Sequence, residues 1–450
     1  MSGGKRCRKN RYSWVLPVVI AAVIIAVIAL ILPKMNTPEA ETQSPDITLA
    51  PEDPTETPIS QEKDPSEQQT IPQSKPSEEE EPIAEVVLPV EPDESESTSN
   101  AEDDLIVSTL TAEQIMAEMS QYEKVCQLFI AQPSALTGVA TVTAAGETTQ
   151  KALEKYPVGG ILYNKSNMKT KDQVVAMVNN SQSYSKIPLL ITCDEEGGRV
   201  NRLMSTVGTT WVGPMLDYKD QGTETAFLNA KTIAMDLKSC GFNLDLAPVA
   251  DVWSNPANTV IGDRAYSDDF EQASELVAAA VQGFREGGVG CTLKHFPGHG
   301  DTSKDSHYGS VYVYKTLEQL RQEEFLPFRS GIAAGADAVM MGHMIITDVE
   351  DQPALFSYEL VTEILRKELG FQGVVMTDAL EMKALSDHYG IGDICVNSIL
   401  AGVDLMLCPN DLETAIQAVN RAVEQGVISQ ERLDESVLRI LTLKENIGLL

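Results

Sequence analysis

From about residue 105 onward one pattern recurs along the chain. A stretch with helical period gives way to a glycine-containing turn, and a short apolar run follows that ends in polar residues. Uninterrupted apolar runs of about four to eight residues mark strands buried on both faces, and their alternation with helices marks parallel β-α units. Eight such strands are predicted: CQLFIA around Cys126, GGILYN around Ile161, PLLITCDEE around Leu190, FNLDLAPVADV around Leu244, GCTLKH around Leu293, DAVMMGHM around Val339, GVVMTDA around Val375 and VDLMLCP around Leu405. Thr111 with Gln114 forms a capping box for a helix carrying Ile115, Met119 and Tyr122. Gly159 and Gly160, Gly287 and Gly288, Gly335, Gly370 with Gly373, and Gly402 stand where left-handed helix caps are wanted, and ISQERLDESVLRILTLKENIGLL reads as closing helical sequence.

Eight alternating units predict a closed α/β barrel, (β/α)8, with the residues beyond the roughly 250 of a minimal barrel placed in loops. An open doubly wound sheet is the alternative, but no GxGxxG phosphate turn accompanies it. In a barrel the residues at the carboxyl ends of the strands share one face. Asn164, Asp194, Asp251, Lys294 with His295, His343 and Asp378 are therefore expected to converge on one pocket.

Ahead of the barrel the pattern changes twice. Lys5, Arg6, Arg8, Lys9 and Arg11 form a basic start, 1–13, before an uncharged apolar run at 14–32 that is long enough to cross a bilayer core of about 30 Å. The run predicts a single-pass anchor with the basic flank inside and the globular domain, 105–450, outside the cell. Cleavage of the segment would instead release a secreted protein. Residues 33–104 are rich in Pro, Glu, Ser and Thr, a composition that cannot bury enough apolar surface to offset its ordering entropy, and a disordered stalk is expected.

Much of the net charge of −32 sits in that stalk, and a chain so acidic is not a nucleic-acid binder. Cys126, Cys193, Cys240, Cys291, Cys395 and Cys408 show no CxxC pair, and several lie inside apolar runs, so buried free thiols are expected. No zinc pattern, phosphate loop or serine nucleophile elbow is present, and no cofactor is expected.

Chemistry concentrates in CTLKHFPGHGDTSKDSH, 291–307, which holds three of the five histidines of the chain. A pocket rich in carboxylates, cations and imidazoles suits acetal hydrolysis, which needs a carboxylate near the anomeric carbon and a proton donor for the departing oxygen. Asp378, ending an apolar strand, is the nucleophile candidate. His307 can donate the proton, with Asp305 two residues earlier to orient it or supply charge. His299 and Asp301 read as loop-shaping residues, and His343 as either pocket-lining or packing. Only Trp211 and Trp253 fall in the domain, which disfavours a long aromatic platform and favours a small pocket for terminal sugars.

KHFPGHGDT with the following DSH, together with CDEEGGRV, GDRAYS and MTDALEM, resembles the family 3 glycoside hydrolases, and within them the β-N-acetylglucosaminidases that act on cell-wall fragments. The resemblance covers 111–450. It implies a barrel, a retaining mechanism with Asp378 as nucleophile and His307 assisted by Asp305 as acid and base, and binding of the non-reducing-end sugar by Asp194, Arg202, Arg264, Lys294 and His295. The implied partner is a muropeptide or amino-sugar oligosaccharide. One departure is Asp194-Glu195-Glu196, where the family carries Asp-Gln-Glu, which leaves the partner of Glu195 open. A second domain, present in many relatives, is not required for a site whose DSH lies in the barrel. A β-glucosidase or glycosyl phosphorylase of the same family, a non-catalytic wall-binding protein and a lyase using Lys294 are the competing readings.

Overall fold

The computed structural model describes residues 110–302 and 311–450, all within one compact unit that spans Asn100–Leu450. The expected anchor at 14–32 and stalk at 33–104 lie outside the described residues, as do Asp305 and His307. Among the described residues no helix is long and apolar enough to cross a membrane.

The described residues form ten strands: β1 (Phe129–Ala131), β2 (Gly160–Leu162), β3 (Leu190–Cys193), β4 (Leu244–Asp245), β5 (Gly290–Phe296), β6 (Tyr312–Val313), β7 (Ala338–Met341), β8 (Ile345–Ile346), β9 (Val374–Thr377) and β10 (Met406–Leu407). Eight of them form one sheet in the order β10-β1-β2-β3-β4-β5-β7-β9, every neighbouring pair parallel. A further parallel bridge, Met376 to Leu405, joins the two ends of that order. There the Thr377 N–H donates to the Leu405 carbonyl (2.9 Å) and the Leu407 N–H to the Thr377 hydroxyl (3.0 Å). The eight predicted strands are all found, and the sheet is a nearly closed barrel of the (β/α)8 type rather than an open doubly wound sheet.

The seam between β9 and β10 is reinforced from below. Asp404, fully buried, accepts from Arg432 (3.1 Å), Arg439 (3.0 Å), Ser436 (2.8 Å) and the Val375 N–H (3.0 Å), and pairs with Arg366 as well. Four of these partners, Arg366, Arg432, Ser436 and Arg439, come from the helix Glu359–Glu368 and the closing helix Gln430–Asn446, so side chains bind both strands to the outer layer where the barrel meets itself.

Barrel strands are buried on both faces, which is why they read as continuous apolar runs; Leu190, Ile191, Leu293, Val339, Val375 and Met406 have no exposed surface. Left-handed caps do occur at Gly288 and Gly402. Gly160 and Gly373 serve a different end: a Cβ there would lie 2.4 Å from a neighbouring backbone oxygen, so these positions permit close strand approach.

The expected first helix is two helices. Thr111 and Gln114 make their capping box at the start of Ala112–Ala117, and Ser120 with Glu123 makes a second box that starts Gln121–Gln127. Met119 thus falls in the link, and Tyr122 belongs to the second helix. The small sheet of β6 and β8, two residues each, stands outside the barrel and has no counterpart in the sequence pattern.

Candidate active site

Several strands hand polar residues at or near their carboxyl ends to one face. Asp194 follows β3, Asp378 follows β9, and Asn164 comes two residues after β2, while Lys294 and His295 occupy the last turns of β5, which runs on through Phe296. Arg202 caps the short helix Leu203–Thr206, and Arg264 ends the turn Gly262–Arg264 in the long connection after β4. Asn164, Asp194, Arg202, Arg264, Lys294, His295 and Asp378 all line one cavity of about 270 Å³. All five residues expected to bind sugar are therefore gathered with the expected nucleophile.

Within the cavity wall the charges form a chain of ion pairs. The Lys294 ammonium, almost wholly buried, contacts Asp194 (2.9 Å) and Glu196 (2.6 Å). Arg264 donates two parallel bonds to Glu196, each 2.8 Å, and Arg202 donates to the second oxygen of Asp194 at 2.9 Å. Burial works against ionisation of Glu196, yet Arg264 and Lys294 outweigh it and hold the carboxyl well below the usual range. Asp194 is also held low: Lys294 and Arg202 overcome its burial. Two carboxylates thus face three cations, and the surplus positive charge stands on the same cavity as Asp378.

Asp378 is partly buried, and its removal from water alone would raise its pKa. The charges of His343 and His295 and the Ala379 N–H outweigh burial and keep the carboxyl below the ordinary aspartate value. The Ala379 N–H donates to Oδ1 at 2.7 Å, and the backbone N–H of Asp378 itself is tied to Met341 on β7 at 2.9 Å. An ionised carboxylate held by its own strand and by the neighbouring one has little freedom to move.

Asp251 stands behind the wall rather than on it. Its carboxylate accepts from His295 Nδ1 (2.6 Å) and from the backbone N–H groups of His295 and His299, so it fixes both the imidazole and the following turn. That turn is also shaped by Asn258, which donates to the carbonyls of His299 (2.7 Å) and Gly300 (3.1 Å). His299 does shape the loop, through Thr302 (2.8 Å), but it also lines the cavity. His343, 2% exposed, lies close enough for its charge to act on Asp378, although it is not among the residues of the cavity wall.

Glu195, the departure from the family pattern, accepts the backbone N–H groups of Leu203 (2.8 Å), Met204 (2.9 Å) and Arg202. It therefore anchors the segment that presents Arg202. Burial raises its pKa, and the three N–H groups act in the opposite sense. Sequence reasoning missed Gln132 and Glu381, which line the cavity and hydrogen-bond each other at 2.9 Å. Gln132 directly follows β1, so the strand-end rule that found Asp194 would have found it. Among the described residues no group of three or more His, Cys, Asp or Glu side chains is arranged to hold a metal ion.

The glycosyl hydrolase family 3 N-terminal domain matches residues 120–443. Beta-hexosaminidase A of Pseudoalteromonas piscicida is 34% identical over 335 residues, 68% of this chain and 56% of the relative. Beta-hexosaminidase of Xylella fastidiosa (strain M23) is 36% identical over 298 residues, 63% of this chain and 86% of the relative. Among solved structures, a glycoside hydrolase family 3 beta-N-acetylglucosaminidase from Paenibacillus sp. str. FPU-7 superposes with a TM-score of 0.70 at 39% identity, over 74% of this chain and 63% of that one. The match thus spans less than two-thirds of the Pseudoalteromonas and Paenibacillus proteins and most of the Xylella protein. With the family match extending over nearly the whole barrel and these relatives beside it, the chain belongs to glycosyl hydrolase family 3, whose enzymes act on O-glycosyl bonds.

Proposed function

We propose that the chain is a retaining, exo-acting β-N-acetylglucosaminidase that removes terminal N-acetylglucosamine from peptidoglycan fragments. The observation that carries this reading is the shared cavity: an ionised Asp378 faces the same space as the Asp194, Lys294, Arg202 and Arg264 network. Hydroxyl groups both donate and accept, so fixed charges of both signs orient a sugar ring. A cavity of about 270 Å³ suits one terminal residue rather than a long glycan.

In the first step the Asp378 carboxylate attacks the anomeric carbon, the glycosidic C–O bond breaks, and His307, assisted by Asp305, protonates the departing oxygen. In the second step the same imidazole removes a proton from water, which attacks the anomeric carbon and releases Asp378. The preference for an N-acetylated sugar draws support from relatives named for that activity. Action on wall fragments, outside the cell and from a membrane anchor, draws on the sequence at 14–32 and on the motif resemblance.

The test is a panel of aryl glycosides with and without phosphate, together with Asp378→Ala. Release of nitrophenol from the N-acetylglucosaminide, independent of phosphate and abolished in the variant, is expected. Normal turnover by the variant overturns the nucleophile assignment. Preference for the glucoside points to a β-glucosidase, phosphate-dependent turnover to a phosphorylase, and sugar binding without turnover to a wall-binding protein. For location, membrane fractionation and protease treatment of intact cells are decisive: a soluble, protected protein rules out the outward-facing anchor.

A further inference from the structure

Of the described residues that line the cavity, only Glu381 is exposed; all the others are buried or half-buried. Glu381 therefore marks the mouth, where whatever is joined to an enclosed terminal sugar must emerge. Its charge is set apart as well. Asp194 and Glu196 are paired with Lys294, Arg202 and Arg264, and the charges of His343 and His295 act on Asp378. Among the described residues Glu381 pairs with no cation, and its side-chain hydrogen bond there comes from the neutral amide of Gln132, at 2.9 Å. An amide leaves the charge uncompensated and fills only one of the several acceptor positions of a carboxylate.

Gln132 is a firm base for that bond. It is half-buried and directly follows β1, the strand that pairs with β10. Cys408 directly follows β10, lines the same cavity, and donates its backbone N–H to the Ile130 carbonyl on β1 at 2.8 Å. With φ +50°, Cys408 is the only non-glycine residue among those described that adopts the left-handed conformation. Strained backbone of this kind persists where the surrounding structure holds it, and it gathers at sites that grip ligands.

We propose that Glu381, held by Gln132, selects the leaving group by charge: it takes the ammonium of a second sugar whose amine is free, in preference to a neutral N-acetylated one. The inference rests on the reading of the chain as an exo-acting β-N-acetylglucosaminidase given above, and it names the chemistry of that enzyme's leaving group. A hydroxyl or an amide N–H would only hydrogen-bond to Glu381. An ammonium carries three donors and also supplies the missing counter-charge.

The experiment compares kcat/KM of the full chain on two disaccharides, N-acetylglucosamine β-linked to glucosamine and N-acetylglucosamine β-linked to N-acetylglucosamine. The parent protein is expected to favour the glucosamine leaving group by about threefold, the scale of a part-exposed ion pair. That preference should shrink as salt is added and vanish as pH rises through the pKa of the sugar amine. Glu381→Gln is expected to abolish it, and Glu381→Lys to reverse it. A parent with no preference overturns the proposal, as does a preference that survives Glu381→Gln or ignores both salt and pH. The salt and pH series need no variant, so they decide the matter even if neither substitution folds. Nitrophenyl N-acetylglucosaminide serves as the control: if the parent does not cleave it, the reading of the enzyme fails and this inference with it, whereas cleavage with equal rates on the two disaccharides overturns the charge selection alone.

Discussion

Lys294 and Glu196 meet at 2.6 Å with 2% and 1% of their side chains exposed, and Arg264 closes on the same carboxylate from the other side. Charges so far from water are stable only as a set, because each desolvated ion depends on its partners. The cluster is thus both wall and foundation of the cavity.

Glu196→Gln leaves Lys294 and Arg264 short of a counter-charge. A loss of about 3–5 kcal/mol in folding stability is expected, the usual consequence of breaking a buried ion pair. Chemical denaturation measures it, and a loss below about 1 kcal/mol would place this pair with surface ion pairs instead.

Eight strands and the face they share were legible because a buried parallel strand writes itself as an apolar run and its polar terminus marks the mouth of the barrel. Asp194, Lys294, His295 and Asp378 were found by that rule. Glu196 was noted only as part of a motif, since nothing local says that two distant cations, Lys294 and Arg264, fold onto one carboxylate. The partner of Glu195 was invisible for a different reason: it is three backbone N–H groups, which carry no residue signature. Asp251, expected at a strand end, lies six residues beyond the end of β4 and supports His295 from behind, because the apolar run FNLDLAPVADV continues well past the two residues that pair as a strand.

The pH dependence of the nucleophile follows from the His343, His295 and Ala379 contacts that hold Asp378 low against its burial. A lowered pKa keeps the attacking carboxylate ionised to lower pH, and both its charge and the stability it draws from these partners are lost only as pH falls through the folded value. In the pH profile of kcat/KM, the acid limb is expected below the ordinary aspartate value of about 3.9, within the range where circular dichroism still reports native protein. An Asp378-dependent acid limb centred above about 5 contradicts the assignment.

Lys444 is completely buried in the closing helix, and burial pushes its pKa down to about 7. Its ammonium or amine donates to Gln127 Oε1 at 2.7 Å, a neutral partner that leaves any charge uncompensated. The unfolded chain holds this proton up to about pH 10.4, so the folded state binds fewer protons between these values and stability rises with pH across that window. Lys444→Met removes this contribution. Relative to the parent protein, the variant should be more stable at low pH, by an amount that shrinks as pH rises; denaturation at about pH 6 and pH 9 reads the difference. An equal difference at both values refutes the shift.

Asp404→Ala removes the common acceptor of Arg366, Arg432 and Arg439 at the seam of the barrel. A stability loss of about 3–5 kcal/mol is expected, since three buried or half-buried guanidinium groups lose their counter-charge. Hydrogen exchange should quicken first at Thr377 and Leu405, whose bond closes the seam. Uniform acceleration over the whole barrel would instead mean that the seam has no separate opening.

All six cysteines among the described residues are buried and carry free thiols. The barrel therefore owes none of its stability there to covalent cross-links between sulfurs, and the redox poise of its surroundings is irrelevant to whether it stays folded. Such a domain can be made in a reducing compartment and kept in an oxidising one without an oxidase or an isomerase to finish it. Its unfolding temperature should be the same with and without dithiothreitol.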